Sequence, residues 1–191
     1  MAPHSGSGRA SIRPAWMVAA AAVILGVSMV ANASAPQGQA ATPAQAARRV
    51  PEPPVTDMTA AEEDAWATAA EATTTAVCGQ CHPIPEITRT RRTWSQWNDS
   101  VVTMGAIGTP TTEAQLTTVK LYMTRYYGAV NVNTASAAEL SAVLGLSSTN
   151  AAAIVEYRKA NGRFANAEAL AKVEGIDKSK IEEQPQAIRF G

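Results

Sequence analysis

An all-α protein built from two helical modules is what this sequence predicts, and three observations predict it. Capping boxes open two helical stretches, at Thr59-x-x-Glu62 and Ser136-x-x-Glu139. Trp94, Trp97, Val101 and Met104 follow one another at spacings of three, four and three, so all four fall on one face of a helix. Leu140, Val143, Gly145, Leu146 and Ala151 recur as Leu170, Val173, Gly175, Ile176 and Ile181 at a constant offset of 30 residues, which implies a duplicated unit of helix, glycine-containing hairpin and helix.

Taken in order, residues 1–33 combine Arg9 and Arg13, no acid, an apolar run from Ala15 to Ala31 and small residues around Ala33. That is a secretory leader cleaved after Ala33 or, if uncleaved, a membrane anchor. Either way the rest of the chain is expected in the periplasm or otherwise outside the cytoplasm. Residues 34–58 are rich in Ala, Gln and Pro; Pro36, Pro43, Pro51, Pro53 and Pro54 break any helix, and the stretch reads as a mobile or partly extended tether. The 16 basic and 16 acidic residues cancel, and loss of Arg9 and Arg13 with the leader tips the balance to acidic. Such a balance argues against gripping nucleic acid or anionic lipid by bulk charge.

Residues 59–128 form the first module. Its helix leads into Cys78-Gly79-Gln80-Cys81-His82, the C-x-x-C-H spacing of a covalent c-type haem site. Two thiols three residues apart share one helical turn and can reach both vinyl groups of one porphyrin, with the adjacent imidazole under the iron. Zinc would need two further Cys or His ligands, and beyond the leader there are none. A thioredoxin-like dithiol would need a strand running into a helix, where the sequence has an Ala-rich helical lead-in.

Past His82, Pro83 and Pro85 end the regular structure and a loop follows with Arg89, Arg91 and Arg92, whose guanidinium forks match haem propionates or simply face solvent. Trp94 and Trp97 are expected to wall the haem. His82 is the remaining histidine once the leader is gone, so a thioether is the natural sixth ligand. Met58 sits before the first helix and Met123 shares a core face with Leu116, Val119 and Tyr126, which leaves Met104, followed by Gly105-Ala106-Ile107-Gly108, as the expected partner of His82.

The helix ending in Cys78–His82, the Trp94/Trp97 helix leading to Met104-Gly105, and the closing Leu121-Tyr122-Met123-Thr124-Arg125-Tyr126-Tyr127-Gly128 resemble small class I-like cytochromes c. That resemblance implies one covalent haem c, passing single electrons between redox proteins such as a dehydrogenase, an oxidase or a membrane complex. It describes a carrier, not an enzyme; peroxidase-like or gas-binding chemistry would need an open sixth position.

Residues 129–191 form the second module. Val130-Asn131-Val132-Asn133-Thr134-Ala135-Ser136, Val143-Leu144-Gly145-Leu146 and Tyr157-Arg158-Lys159-Ala160-Asn161-Gly162-Arg163-Phe164 resemble the double helix-hairpin-helix domain of ComEA-type competence proteins. The resemblance implies binding of double-stranded DNA outside the cytoplasmic membrane, with hairpin N–H groups and helix starts on phosphates. Ser147 and Asp177 stand where the family has the second hairpin glycine. Lys178 and Lys180 are the basic residues of the second hairpin, and the first hairpin has none. Seven basic and seven acidic residues from Val130 to Gly191 cancel, which predicts weak DNA binding. The expected function is therefore exported single-electron transfer with the second module docking a protein partner; the alternative is a competence-type DNA receptor carrying a structural or sensory haem. A membrane contact is expected only if the leader stays.

Overall fold

The computed structural model describes residues 50–55 and 57–191; the leader and most of the 34–58 stretch lie outside the described residues. Helix α1 (Ala60–Cys78) starts where expected: Thr59 Oγ1 accepts from the Glu62 N–H at 3.3 Å and the Glu62 carboxylate accepts from the Thr59 N–H at 2.8 Å. Reciprocal bonds of this kind satisfy two of the donors that a helix start leaves free. A single turn, α2 (Ile84–Ile87), follows the C-x-x-C-H run. Helix α3 (Trp94–Ala106) is boxed by Thr93 and Gln96, and α4 (Glu113–Tyr127) by Thr112 and Gln115.

Helix α4 is the spine. It packs against α1 and α3 and also against α5 (Ala137–Leu144) of the second module. Ala70, Val77, Trp97, Val101, Val119, Tyr122 and Met123 make the first core. The carbonyls at the end of α4, which no further helical turn satisfies, are met from the neighbouring loop. Arg91 donates to Tyr126 O at 3.2 Å and Gly128 O at 3.0 Å, while the Arg92 N–H (3.2 Å) and the Trp97 indole (3.0 Å) donate to Tyr127 O.

The second module runs β1 (Val130–Asn131), α5, α6 (Ser148–Asn161), α7 (Ala167–Leu170), α8 (Lys178–Glu182), a 3₁₀ turn (Pro185–Ala187) and β2 (Ile188–Arg189). The two short strands pair in parallel, Val130 beside Ile188. Its core gathers Val132, Leu140, Leu144, Ile154, Phe164 and Leu170. The 30-residue repeat is real in space: Gly145 and Gly175 both take left-handed backbone, φ 68° and 74°, and the aliphatic residue after each is buried. Only glycine adopts that conformation at little cost. The second repeat is trimmed, with helices of 4 and 5 residues against 8 and 14 in the first.

One expectation needs correcting. The described end of the 34–58 stretch is no free tether. Pro53 is buried, Pro51 O accepts the Trp94 indole N–H at 2.7 Å, and Asp57 is bonded to Ser148. Its prolines do prevent helix, but proline-fixed extended chain also loses little entropy on docking. Among the described residues, no helix is long and apolar enough to cross a membrane.

Candidate functional site

Two places gather the residues singled out by sequence. The first is a hollow of about 470 Å³ between the end of α1, α3 and α4. Cys78, His82, Trp97, Met104 and Met123 line it, with Arg92 at its edge. Helix α1 delivers Cys78 to this wall because its N-terminal cap and its Ala70/Thr74/Val77 stripe fix its register against α4. The volume falls in the range of about 300–1,000 Å³ usual for cofactor-sized ligands.

The lining differs from the sequence expectation in detail. Arg89 and Arg91 are not among the lining residues, and Arg91 is engaged on the carbonyls that end α4. Arg92 does reach the hollow, where it donates to Ser100 Oγ at 2.7 Å and lies 5.1 Å over the Trp97 ring. Trp94 is buried away from the hollow, with its indole on Pro51. Met58 lines a separate crevice beside Pro54 and Trp66. Both Met104, 39% exposed, and Met123, 1% exposed, face the hollow.

The donor chemistry of the hollow suits a covalent haem. Cys78 is half-buried and Cys81 exposed, both free thiols; burial, with Cys81 adding to it, pushes the Cys78 thiol up. Buried His82 Nδ1 has no hydrogen-bond partner, and an unpaired buried polar atom costs about 1–3 kcal/mol. Among the described residues, no three His, Cys, Asp or Glu side chains are gathered to hold a metal ion.

The second place is the hairpin face of residues 145–150 and 175–180. Ser147 and Asp177, which replace the second glycine, act as helix caps: Ser147 Oγ accepts from the Asn150 N–H at 3.2 Å, and Asp177 Oδ1 from the Ser179 N–H at 3.1 Å. Those bonds from Ser179, above all its hydroxyl, hold the Asp177 carboxyl below its ordinary value. A residue that sequence reasoning passed over, Asn150, ties the two hairpins together by donating to Gly175 O and accepting from the Asp177 N–H, both at 2.9 Å. The sole signal available was its position in an asymmetric repeat, where Lys180 is its counterpart.

This face is not open. Asp57 Oδ1 accepts from the Ser148 N–H and Oδ2 from the Ser148 hydroxyl, each at 2.7 Å, and these two bonds hold the Asp57 carboxyl low. Glu63 of α1 accepts from Lys180 Nζ at 3.1 Å and from Arg125 Nε at 2.9 Å. Burial pushes the Glu63 carboxyl up, but the Arg125 charge and the bonds from Arg125 and Lys180 outweigh it and leave it lowered. Lys178 is exposed.

A family model described as a helix-hairpin-helix motif matches residues 126–189. An uncharacterized protein of Haemophilus influenzae is 44% identical over 62 residues, 32% of this chain and 55% of the relative. ComE operon protein 1 of Bacillus subtilis is 41% identical over 59 residues, 31% of this chain and 29% of the relative. A protein of Rattus norvegicus named endonuclease/exonuclease/phosphatase family domain-containing protein 1 is 46% identical over 48 residues, 25% of this chain and 8% of the relative. The chain thus spans about half the length, or less, of the curated relatives it matches. No solved structure is a significant match.

Proposed function

We propose that the chain is an extracytoplasmic DNA-binding protein of the competence type, whose helix-hairpin-helix module holds duplex DNA and whose first module carries one covalent haem. The observation behind it is the helix-hairpin-helix match over residues 126–189, together with the likeness to ComE operon protein 1. This order reverses the expectation from charge alone, because the two left-handed glycines keep the hairpin geometry on which phosphate contact depends while the net charge only scales its strength. Lys178 and the N–H groups that start α6 are the donors this reading uses. Duplex binding should weaken with added salt on a shallow slope, because few cations face the phosphates, and replacing Lys178 and Lys180 by Ala should weaken it further while lowering that slope. A chain that ignores duplex DNA even at low salt would overturn the reading.

In the first module Cys78 and Cys81 would hold the porphyrin by thioether bonds, formed by adding each S–H across a vinyl group, and His82 would bind the iron. Met104 would offer its thioether to the iron; Met123 lines the same hollow. When bound, the haem supplies a reversible one-electron couple. Val101, Val119 and Trp97 would exclude water from it, and Arg92 would offer a positive charge at the rim.

A second reading has its own support. In it the haem passes single electrons between periplasmic or membrane redox proteins and the helix-hairpin-helix module is a docking domain. The zero net charge of residues 130–191 and the occupied hairpin face favour it. Covalent haem with reversible one-electron voltammetry, in a chain that does not bind duplex DNA, would place this reading first.

A further inference from the structure

We infer that the hairpin face of the second module is closed in cis, with the Asp57 and Glu63 carboxylates occupying the groups a DNA phosphate would take. The inference rests on the DNA-binding reading and adds its regulation. Three observations carry it. The Asp57 carboxylate sits on the first turn of α6 through two bonds of 2.7 Å, one to a backbone N–H and one to a hydroxyl, the same pair of donors a phosphate oxygen accepts from. The second hairpin's Lys180 is spent on Glu63, whose other oxygen is held by buried Arg125. Both carboxylates come from outside the module, 91 and 117 residues away in sequence from the groups they engage.

Duplex DNA must therefore displace Asp57, and free Lys180 from Glu63, before it can reach both hairpins. The apparent affinity of a site that is open only part of the time falls by the fraction open. Charge-assisted hydrogen bonds of this kind are strong enough to hold the open fraction to roughly a tenth or less. The closing residue, Asp57, lies just before α1 of the first module, in a stretch that Pro51, Pro53 and Pro54 keep non-helical. Displacing that stretch would free Ser148 from Asp57 and leave Lys180 on Glu63 of α1.

The test is fluorescence anisotropy of the full haem-loaded chain with a labelled duplex at low salt, comparing the natural sequence with Asp57→Ala and with Asp57→Ala/Glu63→Gln. Asp57 is exposed, so its removal leaves the folded chain intact, and Gln at 63 keeps an acceptor for Arg125. Closure predicts duplex affinity roughly tenfold higher in Asp57→Ala and higher again in the double variant, with faster hydrogen exchange at the Ser148 amide. Equal binding by all three chains would overturn closure and leave the DNA reading standing. No binding by any of them would overturn the DNA reading and closure together.

Discussion

Glu63 lies in the first turns of the helix that ends at Cys78, and its carboxylate takes a hydrogen bond from Lys180 at 3.1 Å, 117 residues further along the chain. The same carboxylate takes Arg125 Nε at 2.9 Å, and Arg125 in turn donates to Ser141 O at 3.1 Å. One acid thus joins α1, α4, α5 and α8, and so both modules.

Because this carboxylate is shared, acid should loosen the junction. The folded pKa of Glu63 is lowered, so its contribution to stability is fully present above its ordinary unfolded value, about 4.3, and is lost as pH falls through the folded value. Asp57 is lowered too and carries the same sign. Melting midpoints measured from pH 7 down to 3 should fall less steeply in Glu63→Gln than in the natural chain. At pH 7, Arg125→Met should cost roughly 3 kcal/mol, because it strands a partly buried carboxylate.

Gly145 and Gly175 provide a controlled pair. Both have positive φ, but a Cβ at Gly145 would run into the Arg125 guanidinium, whereas one at Gly175 meets nothing within 4 Å. Gly175→Ala should therefore cost only the backbone term of about 1–2 kcal/mol. Gly145→Ala should cost at least about 1 kcal/mol more, since overpacking against a buried ion pair adds to it. Urea midpoints for the two variants would show whether Arg125 matters to the first hairpin.

Asn150→Ala removes both bonds between the hairpins, each worth about 0.5–1.5 kcal/mol net. A loss of roughly 2 kcal/mol in unfolding free energy is expected, with faster hydrogen exchange at the Asp177 amide. Asn150→Asp should recover less than half of it, because aspartate keeps the acceptor for the Asp177 N–H but loses the donor to Gly175 O.

What the sequence made legible was local. The capping boxes at Thr59 and Ser136, the Trp94-to-Val101 stripe and the 30-residue repeat all follow from spacing within one or two turns, and all appear in the structure. The boxes at Thr93/Gln96 and Thr112/Gln115 were equally local and carried Gln in place of Glu. Residues committed across the chain were not legible. Arg91 looked like a propionate ligand because its loop follows His82, yet the free carbonyls of α4 claim it. Asp57 looked like part of a tether, and nothing in its neighbours announces Ser148. Spacing cannot report a partner that the fold brings from 91 residues away.

If the first module carries the proposed haem, two methionines that face one hollow compete as its thioether ligand. Met123 is almost fully buried in the first core, so Met123→Ala should cost about 2–5 kcal/mol as a large-to-small core change. Met104 is 39% exposed near the end of α3, so Met104→Ala should cost little stability in the haem-free chain. For a haem-loaded form, as the proposed function requires, the prediction runs the other way. Met104→Ala should abolish the thioether-to-iron charge-transfer band and lower the reduction potential, since a Met ligand raises it. Met123→Leu, which keeps the core volume, should leave both unchanged. If instead Met123→Leu removes the band and Met104→Ala does not, the buried methionine is the ligand and Met104 is a rim residue of the hollow.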